Sequence, residues 1–191
     1  MTSLVAPTRP RQVTFVGPFG VGKTTAVVTV SDASVAATDV ASTAMRLRTG
    51  RHLKATTTVG LEIGEWTAPD GRRVSVVGTP GQERFDEVRR SAMPRSTAVV
   101  LWVFGHHEYA VLDTQLWLEF IAQDAPAHKL TVAVTRLADA PTGRLEEITA
   151  AVADFDARIP VVVADPRDRD DVVTVLTSAL DAVTPAAEVA P

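Results

Sequence analysis

The chain has 191 residues, enough for one domain with a sizeable core. Hydrophobic residues make up 46% and charged residues 22%, with both signs interspersed, which excludes wholesale disorder. A net charge of −4 without a basic block excludes a nucleic-acid footprint, and the lack of cysteine excludes disulfides and thiolate metal sites. The opening MTSLVAPTRPRQ has no leader-like apolar run, and no segment is long enough to span a bilayer. Thr2 excludes N-myristoylation and the ending AAEVAP carries no prenylation cysteine, so a cytoplasmic location is expected.

In chain order, Gln12 to Val16 is a short β-prone run that ends at a Gly-rich turn, and KTTAVVTV from Lys23 is suited to begin a helix. Ser31 to Ala55 shows no clean period and is expected to be a long mobile connection, with a short helix near Ala41 to Arg48. Thr57 to Trp66 alternates as a strand, APDGRR supplies a hairpin turn, and Val74 to Val77 returns. A short helix over Asp86 to Ala92 is stopped by Pro94. Thr97 to Phe104 and Leu130 to Val134 are continuous apolar runs, the mark of buried strands. Tyr109 to Gln123, Thr142 to Phe155 (capped by Thr142) and Asp168 to Val183 read as helices, with a last strand at Pro160 to Ala164. Strands alternating with helices after one early hairpin predict an α/β fold, an open and mostly parallel sheet covered on both faces. One domain over residues 11–183 is expected, with flexible tails at 1–10 and 184–191.

GPFGVGKT, Gly17 to Thr24, fits G-x-x-x-x-G-K-[ST] and lies between a predicted strand and a predicted helix. Such a loop turns backbone N–H groups inward around phosphates, and the helix start adds partial positive charge. Lys23 then reaches the β- and γ-phosphates and the Thr24 hydroxyl ligates Mg²⁺. The candidate phosphate-binding residues are Gly17, Phe19, Gly20, Val21, Gly22, Lys23, Thr24 and Thr25. One of only three lysines in the chain sits at the required position.

Three further strings extend the pattern. TTTVGLEIGEW precedes the hairpin, GTPGQERF follows it, and VAVTRLADA ends the penultimate predicted strand. With the phosphate loop they resemble the small Ras-like GTPases. G-x-F-G-V-G-K-T-T, TTTV, GTPGQERF and the late V-x-D-x-R-D-R are together similar to the GTPases of actinobacterial conservons, over about residues 11–183. The resemblance implies a P-loop NTPase of the small GTPase (Ras-like) fold, with a mostly parallel six-stranded sheet and one antiparallel edge strand. It implies that GTP or GDP is the bound ligand and Mg²⁺ the cofactor. Thr58 would close onto Mg²⁺ and the γ-phosphate, the Gly81 N–H would bind the γ-phosphate, and Gln82 would orient the attacking water. Thr135 and Arg136 stand at the first two positions of the family's base-reading motif. Asp139, its acid, comes one residue late, so it either reads guanine from a bulged loop or is an ordinary solvated acid. Ala164 and Asp165 are the nearest candidates for backbone contacts to the base. Implied partners are a roadblock/LC7-like regulator, a sensor-kinase-like protein and, as in mycobacterial relatives, a pentapeptide-repeat protein.

Two residues bear on rate. Gly78 stands where Ras-like enzymes carry a magnesium-holding Asp, although Gly-Thr-Pro-Gly is the usual string of the conservon group, so weak metal binding with GDP is expected. Phe19 puts a phenyl ring where the γ-phosphate, Gln82 and any inserted arginine crowd, so slow turnover is expected. His106 and His107 lack a third ligand at suitable spacing and read as exposed loop residues. Trp66, Trp102 and Trp117 read as core or helix-packing residues, and Arg84, Arg89 and Arg90 as a solvated face that a partner meets when the switch changes shape. Three readings follow: a slow GTPase switch, a nucleotide-binding scaffold that signals by occupancy, and a P-loop kinase. No arginine-bearing lid supports the last.

Overall fold

The structure, a computed structural model, describes residues 11–39, 60–82 and 85–183. Its strands are β1 (Arg11–Val16), β2 (Ala36–Asp39), β3 (Gly60–Thr67), β4 (Arg73–Gly78), β5 (Ala98–Phe104), β6 (Leu130–Thr135) and β7 (Val161–Val163). Its helices are α1 (Lys23–Val30), α2 (Asp86–Ala92), α3 (Ala110–Ala122), α4 (Arg144–Asp156) and α5 (Arg169–Val183). The strands form one sheet in the order β2-β3-β4-β1-β5-β6-β7. The α/β, mostly parallel expectation holds, with two corrections. Among the described residues the sheet has seven strands, not six, because Ala36–Asp39 pairs antiparallel with β3 inside the stretch expected to be a connection. The antiparallel strand is therefore β3, which is interior, and not an edge strand. Ala-Ala-Thr-Asp has little strand propensity of its own, and its conformation comes from the ladder that β3 offers.

Period-two alternation divides the buried strand residues between two faces. Val13, Phe15, Val100 and Trp102 pack with α1 and α5, while Val16, Leu101, Val103, Val132 and Val134 pack with α3 and α4. Phe15 and Trp102 meet edge to face at 5.7 Å. Trp66 is likewise core, and Trp117 packs edge to face on Phe120, as expected of both.

Helix ends differ in part from expectation. Thr142 does not cap α4, which starts after Gly143 in a left-handed conformation (φ 85°) and has no side-chain cap. Asp168 caps α5, its carboxylate accepting the N–H groups of Asp170 and Asp171. Arg169, the first residue of α5, closes the other end of the molecule's first helix. It donates to the carbonyls of Thr29 and Val30 at the C-terminus of α1, and to Asp32, whose other oxygen accepts the Thr67 N–H. The Thr67 N–H, ahead of the Arg169 guanidinium, holds the Asp32 carboxyl below the usual carboxylate range.

The topology dictates where a site can form. Strands β4, β1, β5, β6 and β7 run parallel, so the loops after them leave one edge of the sheet together. β1 lies between β4 and β5, and the connections depart from it in opposite directions, which opens a crevice at its C-terminal end. The N-terminal end of antiparallel β3 arrives at the same edge. Among the described residues no helix is long and apolar enough to cross a membrane.

Candidate functional site

At that edge lies a cleft of about 430 Å³. Phe19, Gly20, Gly22, Lys23, Thr24 and Thr25 form one wall, Gly60 and Glu62 a second, and Thr79, Pro80, Gly81, Gln82 and Phe85 a third. A larger, shallower groove of about 580 Å³ runs between α5 and the approach to β7, around Arg158, Thr174 and Asp181. It lies away from the sheet's C-terminal edge and draws on a single helix and one loop, so the smaller cleft is the better candidate.

The loop's backbone is set by its glycines. Gly17 has φ 134°, and a Cβ there would lie 2.2 Å from the Trp102 carbonyl oxygen, so only glycine passes this close to β5. Gly20 and Gly22 also have positive φ, and Gly22 leads directly into α1. No side chain caps α1, whose first turn keeps its N–H dipoles at the cleft. Val21 is a core residue that anchors the loop from below. The Lys23 ammonium is buried and donates to the carbonyls of Gly17 (2.8 Å) and Pro18 (2.7 Å). Burial foremost, then the Arg89 charge, lowers its pKa to about 8 against the opposing pull of Glu62.

Gly81 packs against this loop. A Cβ there would meet the Phe19 nitrogen at 2.4 Å and the Pro18 carbonyl carbon at 2.6 Å, so the Pro80–Gly81 turn fits only as glycine. Gln82 follows on the same wall. Its carbonyl accepts from Arg89 Nη1 (2.9 Å), as does that of Pro80 (2.7 Å). Arg89 is therefore not part of a solvated face. It is 2% exposed, pairs with Asp86, and lies over the Trp117 and Phe120 rings at 5.1 and 5.4 Å. Phe19 lines the same cleft as Gln82 with 71% of its surface exposed. Thr58 and Arg84 lie outside the described residues, as do the helix expected near Ala41 to Arg48 and both expected tails.

A second set of loops lies beside the phosphate-type loop. Thr135 ends β6, buried, and its carbonyl accepts the Gly105 N–H. Arg136 is left-handed (φ 57°). Its guanidinium lies over Phe104 at 5.1 Å and approaches the Gly20 carbonyl at 3.5 Å, bridging this loop to the phosphate-type loop. Asp139 ends a short 3₁₀ turn and is exposed. Pro166 closes on the loop from the other side, 2.5 Å from where a Gly22 Cβ would be. The two residues named for backbone contacts directly follow β7. The Ala164 N–H donates to Val134 and the Asp165 N–H to Asp171, so both are taken within the protein. The Asp165 side chain is held by Arg167, which lowers its pKa to about 2. His106, expected to be exposed, is half-buried against Phe104, and His107 is exposed.

Two residues escaped the sequence reading. Arg89 is one, and Glu62 the other: its Oε1 accepts the Thr24 hydroxyl at 2.7 Å. The hairpin closes with the Ala68 N–H on the Arg72 carbonyl, over the three residues 69–71, and counting back from that pair sets Glu62 opposite Gly78; a two-residue Asp70–Gly71 turn would have set it opposite Thr79. This donor set, a hydroxyl and a carboxylate with no soft ligand, suits a hard divalent cation such as Mg²⁺ that is otherwise held by phosphate oxygens and water. Among the described residues no group of three or more His, Cys, Asp or Glu side chains forms a metal cage. No protein-family model matches this chain, and no curated protein matches it.

Proposed function

We propose that this chain is a guanine-nucleotide-binding switch that hydrolyses GTP slowly. One observation carries the reading: the G-x-x-x-x-G-K-T loop, with Lys23 and Thr24, and the Gly81–Gln82 turn form one cleft at the sheet's topological switch point. In this reading the Lys23 ammonium leaves its two loop carbonyls for the β- and γ-phosphates, and the first turn of α1 adds its N–H groups. Thr24, with Thr58 by resemblance, would hold Mg²⁺, which when bound neutralises charge on the phosphates. Gln82 aligns the attacking water, and Arg89 fixes the backbone that carries Gln82. The Arg136 stem covers one face of the base beside Thr135, and Asp139 accepts from guanine. The cell's cytoplasm is the expected setting, with a roadblock/LC7-like regulator as the first partner to test and sensor-kinase-like and pentapeptide-repeat proteins after it.

A second reading, a scaffold that signals by occupancy with little hydrolysis, is favoured by the exposed Phe19 ring on the wall it shares with Gln82. Identifying the nucleotide that co-purifies with the protein tests binding, and phosphate release from GTP-loaded protein at saturating Mg²⁺ separates the two readings. The switch predicts that Gln82→Leu slows release and Phe19→Gly speeds it. Equal, slow release by wild type and Gln82→Leu would leave the scaffold.

A further inference from the structure

The carboxylate wall of the cleft carries an inference that rests on the nucleotide-binding reading and goes beyond it. Gly78 ends β4, and its partner across the ladder is Glu62 in β3. A Cβ built on Gly78 would lie 2.8 Å from Glu62 Oε2 and 3.2 Å from Val27 Cγ2. The Glu62 carboxylate is thus folded over the place from which a side chain at position 78 would project, and the bare glycine is what makes room. The other oxygen, Oε1, accepts the Thr24 hydroxyl proton at 2.7 Å.

That bond has a chemical consequence. A hydroxyl has one proton and two lone pairs, and committing the proton to a carboxylate leaves both lone pairs free to face elsewhere. It also makes the oxygen more electron-rich, the condition in which a hydroxyl best ligates a hard cation. Groups that brace a metal ligand from behind orient it, and losing one typically costs about 10- to 100-fold in metal affinity. Glu62 is half-buried, lines the same cleft as Thr24, and sits on a strand rather than a loop, so the brace is rigid.

We propose that Glu62 is the positioning carboxylate of a divalent-cation site: it fixes the Thr24 hydroxyl as a proton donor to itself and a lone-pair donor to the Mg²⁺ of a bound nucleotide, in space that Gly78 leaves open. The carboxylate expected on β4 is supplied from the opposite strand of the same hairpin.

The test uses the full chain, stripped in EDTA and loaded with fluorescent GDP, and follows GDP release against free Mg²⁺. Glu62→Gln places an amide that can donate to the hydroxyl and reverse the bond. It is expected to need about tenfold more Mg²⁺ for half-maximal slowing of release. Moving the acid across the ladder, in Glu62→Ala with Gly78→Asp, is expected to bring the Mg²⁺ midpoint back toward wild type, whereas Glu62→Ala alone is not. Wild-type midpoints in Glu62→Gln and Glu62→Ala, with GDP binding intact, would overturn the role of Glu62 and leave the nucleotide reading standing. Wild-type protein that binds no GDP with or without Mg²⁺ would overturn both.

Discussion

The two ends of the proposed site, the cleft at one and the loops beside it at the other, are built differently. At the phosphate-type end the backbone is interlocked: Lys23 is buried on two carbonyls, Gly81 packs on the Phe19 backbone, and Arg89 clamps the turn behind it. At the opposite end Asp139 is exposed, Arg136 is held by one ring and one long contact, and two nearby N–H groups serve the fold. In the proposed reading, affinity rests on the rigid end and base selectivity on the loose one. Rigid, desolvated contacts change free energies by several kcal/mol, while exposed ones change them by tenths to one.

Four perturbations break or sharpen this contrast, from the largest expected effect down. Lys23→Ala removes a buried charge that no other side chain of the cleft replaces, and nucleotide affinity should fall by roughly 3–5 kcal/mol, more than 100-fold. Fluorescent GDP titration measures it, and unchanged affinity would remove the phosphate-loop assignment. Arg89→Met keeps much of the packing on Trp117 and Phe120 but drops the bonds to Pro80 and Gln82 and strands Asp86. Loss of a buried charged donor predicts about 2–3 kcal/mol of destabilisation, seen as a Tm lower by roughly 4–12 °C.

Proton linkage gives the third. Free Lys23 titrates near pH 8, and bound phosphate raises that value, since it favours the charged ammonium. Binding is then fully supported below pH 8 and weakens above it, by about tenfold between pH 7 and pH 9, with proton uptake over that window. Calorimetry in buffers of different ionisation enthalpy detects the uptake, and a flat profile would detach Lys23 from the ligand. The smallest effect belongs to the loose end. Asp139→Asn should shift preference from GTP toward xanthosine triphosphate by about 1 kcal/mol, read by competition binding. No shift would make Asp139 a solvated loop acid.

The same contrast explains what could be read from the sequence. The phosphate-type loop was readable because its work is done by backbone, and Gly17, Gly22 and Lys23 are the residues that such a backbone needs at fixed spacing. The buried strands were readable because apolar runs such as Val99 to Val103 have few other uses in a chain of this size. β2 was not, because Ala36–Asp39 becomes a strand only through its partner. Glu62 and Arg89 were hidden for a related reason: along the chain each is one more charge in an alternating or helical pattern. Their burial and contacts come from a ladder and a facing helix. The pairing of the Ala164 and Asp165 N–H groups with Val134 and Asp171 was hidden too, because no local pattern reports which N–H groups the fold engages.

The bonds from Arg169 to the end of α1 also say something about how the protein is made. The helix that begins at Lys23 is closed at its other end by a residue about 140 positions later. A ribosome has released most of the chain before that closure can form. The C-terminal end of the first helix therefore stays open until α5 docks. A chain cut before Arg169 thus carries the loop motif but leaves the carbonyls of Thr29 and Val30 without this donor.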